Sequence, residues 1–354
     1  MRVWAHRIAF LAGLVAAGVI AFVLASAARP SSGVLHVRDG VIAYTRTGRY
    51  GHSQIWKITA TGAHGGPLTT GRIHVSSGAS YSPNGSRIVF ARGVYDHVHY
   101  LIGCPCDLWT MNADGSHKRR LTFSPLIEED DPAWSPNGKK IAFVIGDPRH
   151  GGSGGLWIMD ADGRHRRQLS KTYGQNYSPS WSPNGAKIVY ANDSYSSASP
   201  SFVGVQLYVV KASGGSRTNV TNDPNVSDTE PSWSPNGRKI LFSRSDPALP
   251  NFQASGPLDL WTMNADGSDL QRVTNTPDRE ESWPAWSPNG RWIAYAAHDS
   301  QSNPAGVHDS RITQIYVARP NGSRPRMITH PCRLNCTRKD DISNGEPIWQ
   351  PLPN

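Results

Sequence analysis

The tetrapeptide Ser-Pro-Asn-Gly occurs five times, starting at Ser82, Ser135, Ser182, Ser234 and Ser287, so successive copies lie 53, 47, 52 and 53 residues apart. A period near fifty means one supersecondary unit copied along the chain. A unit of that size cannot bury its apolar faces alone and must stack on its neighbours. The repeat therefore constrains the architecture before any single residue is considered.

Each copy has the same grammar. Pro-x-Trp precedes the tetrapeptide at Trp134, Trp181, Trp233 and Trp286, with Tyr81 in place of Trp in the first copy. A short β-branched and aromatic run follows, as in Ile88-Val89-Phe90 or Ile240-Leu241-Phe242. Such runs are too short for helices and are bounded by turn residues, so they read as strands. Pro presets φ and Asn-Gly tolerates positive φ, so the tetrapeptide reads as a hairpin between antiparallel strands. A second motif keeps the same beat: Ile55-Trp56, Leu108-Trp109, Leu156-Trp157, Leu207-Tyr208, Leu260-Trp261 and Ile315-Tyr316. Most copies run into another tight turn, such as Asn112-Ala113-Asp114-Gly115, and then a brief strand ending near Leu121-Thr122 or Val273-Thr274.

Four strands per copy and six copies of the second motif predict an all-β, six-bladed propeller of four-stranded antiparallel sheets. Val41–Tyr44 resembles a post-turn strand with no Pro-x-Trp strand before it, and Pro347-Ile348-Trp349 resembles a pre-turn strand with nothing after it. Placing both in one blade, the C-terminal strand innermost, closes the ring and hides two sheet edges.

Residues 1–28 differ in kind. Arg2 and Arg7 precede an apolar run from Ile8 to Leu24, then small residues Ala25-Ser26-Ala27. That is the layout of a secretory signal peptide, and the run is also long enough for an uncleaved membrane anchor helix. Either reading puts the propeller, residues 34–354, outside the cytoplasm. The formal net charge of +9 suits an anionic envelope or wall surface as well as nucleic acid. Secretion removes most nucleic-acid partners, and the clusters Lys118-Arg119-Arg120 and Arg164–Arg167 read as solvated outer edges that resist strand pairing. The four cysteines, Cys104, Cys106, Cys332 and Cys336, read as disulfide candidates in that compartment, with three pairings open. Asp96, His97 and His99 stand near Cys104-Pro105-Cys106, but Cys-x-Cys does not match the usual zinc spacing.

The elements Pro-x-Trp-Ser-Pro-Asn-Gly-x-x-Ile-Ala-Phe and Leu-Trp-x-Met-Asn-Ala-Asp-Gly resemble the TolB-type, WD40-like (PD40) propeller repeat, over about residues 34–354. That repeat usually has Asp where this chain has Asn in the hairpin, and Asn serves the same turn. The resemblance implies a six-bladed propeller of the periplasm or cell envelope that binds other proteins. TolB itself carries an α/β domain before its propeller. Here the repeats begin almost directly after the leader, so roles that depend on that domain are not carried over.

The loops before Pro-x-Trp are expected to ring one channel mouth, and they are acidic: Glu129, Asp130, Asp131, Asp228, Glu230, Glu280, Glu281, Asp341 and Glu346. Trp283, one residue before Pro284, is an added candidate contact. This rim suits a protein partner with a basic segment, and it offers carboxylates to Ca²⁺, which takes six to eight oxygens. The solvated-loop reading competes for any single residue. Gly151–Gly155 matches Gly-x-Ser-x-Gly but sits in a loop between strands, where no nucleophile elbow forms. The sequence therefore predicts a monomeric, non-enzymatic extracytoplasmic binding scaffold with no catalytic residue or cofactor assigned. A propeller enzyme or lectin-like module acting on glycan or wall material, with Ca²⁺ assisting, is the alternative.

Overall fold

The computed structural model describes residues 40–48, 52–71, 74–94, 106–124, 127–146, 154–171, 175–195, 202–245, 258–277, 279–299, 313–329 and 343–351. The leader and Cys104, Cys332, Cys336 and Asp341 lie outside the described residues.

The described chain is all β. Blade 1 holds β1 (Val41–Thr47), β2 (Ser53–Thr59) and β3 (Gly66–Pro67). Blade 2 holds β4 (His74–Tyr81), β5 (Arg87–Val94), β6 (Asp107–Asn112) and β7 (Arg119–Arg120). Blade 3 holds β8 (Glu128–Trp134), β9 (Lys140–Gly146), β10 (Gly155–Asp160) and β11 (Arg167–Lys171). Blade 4 holds β12 (Asn176–Trp181), β13 (Lys187–Tyr195), β14 (Phe202–Lys211) and β15 (Thr218–Asn219). Blade 5 holds β16 (Asp228–Trp233), β17 (Lys239–Ser245), β18 (Leu258–Asn264) and β19 (Gln271–Arg272). Blade 6 holds β20 (Arg279–Trp286), β21 (Ile293–Asp299), β22 (Gln314–Ala318) and β23 (Arg326–Met327), and β24 (Ser343–Trp349) returns to blade 1. The six sheets are four-stranded, and blade 1 has the order β24-β1-β2-β3. The first and last strands thus share one sheet, as the sequence predicts.

Hydrophobic packing lies between blades. Ala43 and Ile55 of blade 1 pack with Tyr81, Ile88 and Phe90 of blade 2. Leu241 and Leu260 of blade 5 pack with Ile293 and Tyr295 of blade 6 in the same way. The second strand of each blade is sandwiched on both faces, so Ile88, Val89, Phe90 and Ala91 are all fully buried. Burial of this kind, at about 25 cal/mol per Å² of apolar surface, holds repeat units that could not fold singly.

The Ser-Pro-Asn-Gly hairpin closes on its own side chains. Ser82 Oγ donates to Asn84 Oδ1 at 2.8 Å and accepts the Arg87 N–H at 2.9 Å. The same pair of bonds recurs at Ser135, Ser182, Ser234 and Ser287. Only an acceptor oxygen is needed at the Asn position, which is why Asn and Asp serve equally. The second turn docks each blade on its neighbour. Gly115 has φ +89°, and a Cβ there would lie 2.7 Å from the Leu68 carbonyl oxygen of the previous blade. Gly62 stands likewise against Ile328, which joins blade 1 to blade 6.

The basic clusters do more than repel edges. Arg119 donates to the Asp162 carbonyl at 3.0 Å, Arg167 to Ala212 at 2.8 Å and Arg326 to Thr61 at 3.0 Å, each across a blade boundary. Arg120 pairs with Asp107 and Arg166 with Glu129. The Thr that ends each of five repeats ties the last strand back to the third. Thr69, Thr122, Thr221, Thr274 and Thr329 Oγ1 accept the N–H of Ile55, Leu108, Leu207, Leu260 and Ile315.

Candidate functional site: the central channel

The inner strands β4, β8, β12, β16, β20 and β24 line a cavity of 340 Å³ on the ring axis. In each, the ladder register shifts just before the Pro-x-Trp segment, for example between Asp130 and Ala133. Pro cannot donate to a ladder, and the bulge removes the need. The residue before the Pro position is left-handed in all six blades: Gly78 (φ 58°), Asp131 (48°), Ser178 (49°), Glu230 (56°), Trp283 (48°) and Glu346 (51°). Five of these are not glycine, and such backbone costs on the order of 1 kcal/mol or more each.

These six residues form a ring in which carboxylates alternate with other side chains. Each carboxylate accepts the backbone N–H of its counterpart in the next blade. Glu346 Oε2 takes the N–H of Gly78 at 2.7 Å, Asp131 Oδ2 that of Ser178 at 2.7 Å, and Glu230 Oε2 that of Trp283 at 2.5 Å. The two longer side chains gain a hydroxyl as well: Thr45 donates to Glu346 at 2.6 Å and Ser243 to Glu230 at 2.9 Å. Val144 fills that place in blade 3, opposite Asp130, and Asp131 instead takes the Ser178 hydroxyl. Among the described residues no Lys, Arg or His lines the cavity.

Walled in by protein, Asp131 and Glu230 hold their protons more tightly than free carboxyls do. Burial pushes Asp131 up to about 6, with the Ser178 N–H opposing and Glu346 adding to the rise. Burial pushes Glu230 up to about 7, against the Trp283 and Ser243 hydrogen bonds and with the charges of Asp131 and Glu346. Asp130, beside them, is raised well above the usual carboxylate range by burial, then by Asp131 and Glu346. These are the shifts expected of like charges in a poorly hydrated site.

The predicted acidic residues thus divide. Asp131, Glu230, Glu346 and Trp283 line the channel. Trp283 lies outside the Pro-x-Trp register but in the register of the carboxylates. It is 36% exposed, and a Cβ on Gly345 would come within 2.8 Å of its ring. Glu129, Asp228 and Glu281 do not line the cavity and are buried between strands. Asp228 makes a two-pronged pair with Arg244 at 2.6 and 2.9 Å. Glu129 meets Arg166 and the Ser124 hydroxyl, and Glu281 the hydroxyls of Thr274 and Thr276. Glu280 lies 3.4 Å from His298. Asp130 accepts the Asp131 N–H at 2.8 Å. Cys106 is buried against Trp134 and Phe143. Among the described residues no group of three or more His, Cys, Asp or Glu side chains comes together to hold a metal ion.

Residues 115–245 match the family profile of the TolB beta propeller domain, PD40. The Tol-Pal system protein TolB of Bordetella parapertussis is 30% identical over 285 residues, covering 67% of this chain and 60% of that protein. TolB of Nitratidesulfovibrio vulgaris is 30% identical over 146 residues, covering 39% of this chain and 32% of that protein. The chain thus spans no more than three fifths of either relative. The crystal structure of TolB from Acinetobacter baumannii superposes with a TM-score of 0.62 at 14% identity, covering 90% of this chain and 68% of that one. At that identity the likeness shows the fold. The repeats of this chain are TolB-like, PD40-type repeats, and the ring they build is a TolB-like β-propeller.

Proposed function

We propose that this propeller is an extracytoplasmic binding scaffold of the cell envelope that takes a basic segment of a partner protein into its central channel. One observation carries the reading: three carboxylates from alternate blades face a 340 Å³ cavity that, among the described residues, no cationic side chain lines. A cavity of that volume admits one or two side chains of a partner and not a folded domain. A cation placed there would relieve the mutual repulsion of Asp131, Glu230 and Glu346, and Trp283 offers an aromatic face beside them. Strained, non-glycine backbone at the same positions fits a site held in place for binding. The family supports a protein partner, since its curated members are named for the Tol-Pal system.

The test is capture of partners from envelope extract by immobilised protein, comparing the wild type with the triple variant Asp131→Asn, Glu230→Gln, Glu346→Gln. The expected result is loss of the captured species from a variant whose circular dichroism is unchanged. Equal capture by both would remove the channel from the binding surface.

A further inference from the structure

The two sets of turns at one end of the ring lie side by side. The backbone N–H groups of Ala113, Ala161, Ala212 and Ala265, in the outer turns, donate to the carbonyls of Ser86, Lys139, Ala186 and Arg238, just past the Ser-Pro-Asn-Gly turns. That end is strongly basic. Lys139, Arg164, Lys187, Arg238, Arg291 and Arg324 all lie on these turns and are exposed. The acids there are fewer: Asp160 and Asp269 are paired with Lys140 and Lys239, and Asp114, Asp162 and Asp266 are exposed on the outer turns. The Arg164–Asp162 contact, at 3.7 Å between exposed groups, adds little. In blade 1 the same donor-acceptor bond runs from the Ala60 N–H to the Gly40 carbonyl. The chain therefore enters the propeller on the same turn face, in blade 1. Fifteen residues separate the apolar sequence Ile8–Leu24 from Gly40, a span of about 50 Å at most when extended.

We propose that this basic turn face is a docking surface for an anionic lipid bilayer. Three features converge on one occupant. The positive charge is spread over blades 3 to 6 around the turn ring instead of lining a groove, which suits a plane of headgroups. Lys and Arg near an anionic leaflet each gain attraction that falls off within a Debye length. The chain enters at this same face, a short tether away from its apolar sequence, and basic residues joined to an apolar segment are the combination that makes membrane attachment stable.

The experiment is co-sedimentation with vesicles. The ring holds its own core and its own closing strand, so residues 36–354 are used without the apolar sequence, and the face alone is read. Vesicles of phosphatidylglycerol with phosphatidylcholine are compared with pure phosphatidylcholine at low salt. The expected result is about tenfold more protein bound to the anionic vesicles, lost at high salt. The variant Lys139→Glu, Lys187→Glu, Arg238→Glu, Arg291→Glu falls to the neutral-vesicle level with its thermal midpoint unchanged. Among the described residues these four side chains form no ion pair, so their reversal leaves the fold intact. Equal binding to both vesicle types, or full binding by the variant, overturns the proposal. So does tighter binding to soluble heparin than to the anionic vesicles, which would put a free polyanion in the bilayer's place.

Discussion

Two rings of polar residues run around this propeller only two positions apart on the same inner strands, and they have opposite characters. Ser76, Glu129, Asn176, Asp228, Glu281 and Asn344 form the first, and all are at most 4% exposed. Gly78, Asp131, Ser178, Glu230, Trp283 and Glu346 form the second, at the bulge. A carboxylate in the first ring meets a guanidinium or hydroxyls and fastens strands or neighbouring blades. A carboxylate in the second meets a backbone N–H, a hydroxyl and other carboxylates, and no guanidinium. The same side chain is structural or available for binding according to whether its surroundings already supply the countercharge.

Breaking the first ring should have the largest effect. Asp228→Asn leaves Arg244 buried without its carboxylate, and such losses run to about 3–5 kcal/mol. Chemical denaturation of the variant should show that drop in stability. A change below about 1 kcal/mol would mean that the pair contributes little and that the two rings are alike.

Neutralising the second ring should act the other way. Asp131 and Glu230 titrate near 6 and 7 in the folded chain, and near 4 when unfolded. Between those values the native state holds protons that the unfolded state has released, so stability falls as pH rises from about 4 to 7 and levels off above. The double variant Asp131→Asn, Glu230→Gln keeps the acceptor oxygens and loses the charges. It should gain about 1–2 kcal/mol per site at pH 8, after allowance for solvent screening. Thermal melts at pH 5 and pH 8 should show the wild type less stable at pH 8 and a smaller loss in the variant.

The smallest effect belongs to the turns. Asn84→Asp keeps the acceptor for Ser82 and Ser86 and should change the thermal midpoint hardly at all, within about 0.5 kcal/mol. Asn84→Ala removes it, and the lost hydrogen bonds should cost about 1 kcal/mol.

These contrasts also mark what a sequence can show. The ring, its six blades and the closing strand β24 were legible because hairpin chemistry is local: Ser82, Asn84 and Gly85 bond within five residues. The division of the acidic residues was not legible. Asp228 finds Arg244 on the adjacent strand, and Glu129 finds Arg166 some 37 residues away. Nothing local marks Asp131 as lacking such a partner. Counting back from each proline would have set Asp131, Glu230, Trp283 and Glu346 in one register. Their left-handed backbone comes from the bulge, which a sequence pattern does not display. The interblade reach of Arg119 and Arg326 was hidden for the same reason, since each acceptor is a main-chain carbonyl of another repeat.

The central claim is that the channel carboxyls face one another without a countercharge. Side-chain carboxyl ¹³C titration of selectively labelled protein, with Asp131→Asn and Glu230→Gln for assignment, measures this directly. Apparent midpoints near 6 and 7 are expected, and both should fall when a lysine-rich peptide saturates the channel. Midpoints near 4 that ignore the peptide would show the carboxyls already neutralised or hydrated, and the account of the channel would not stand.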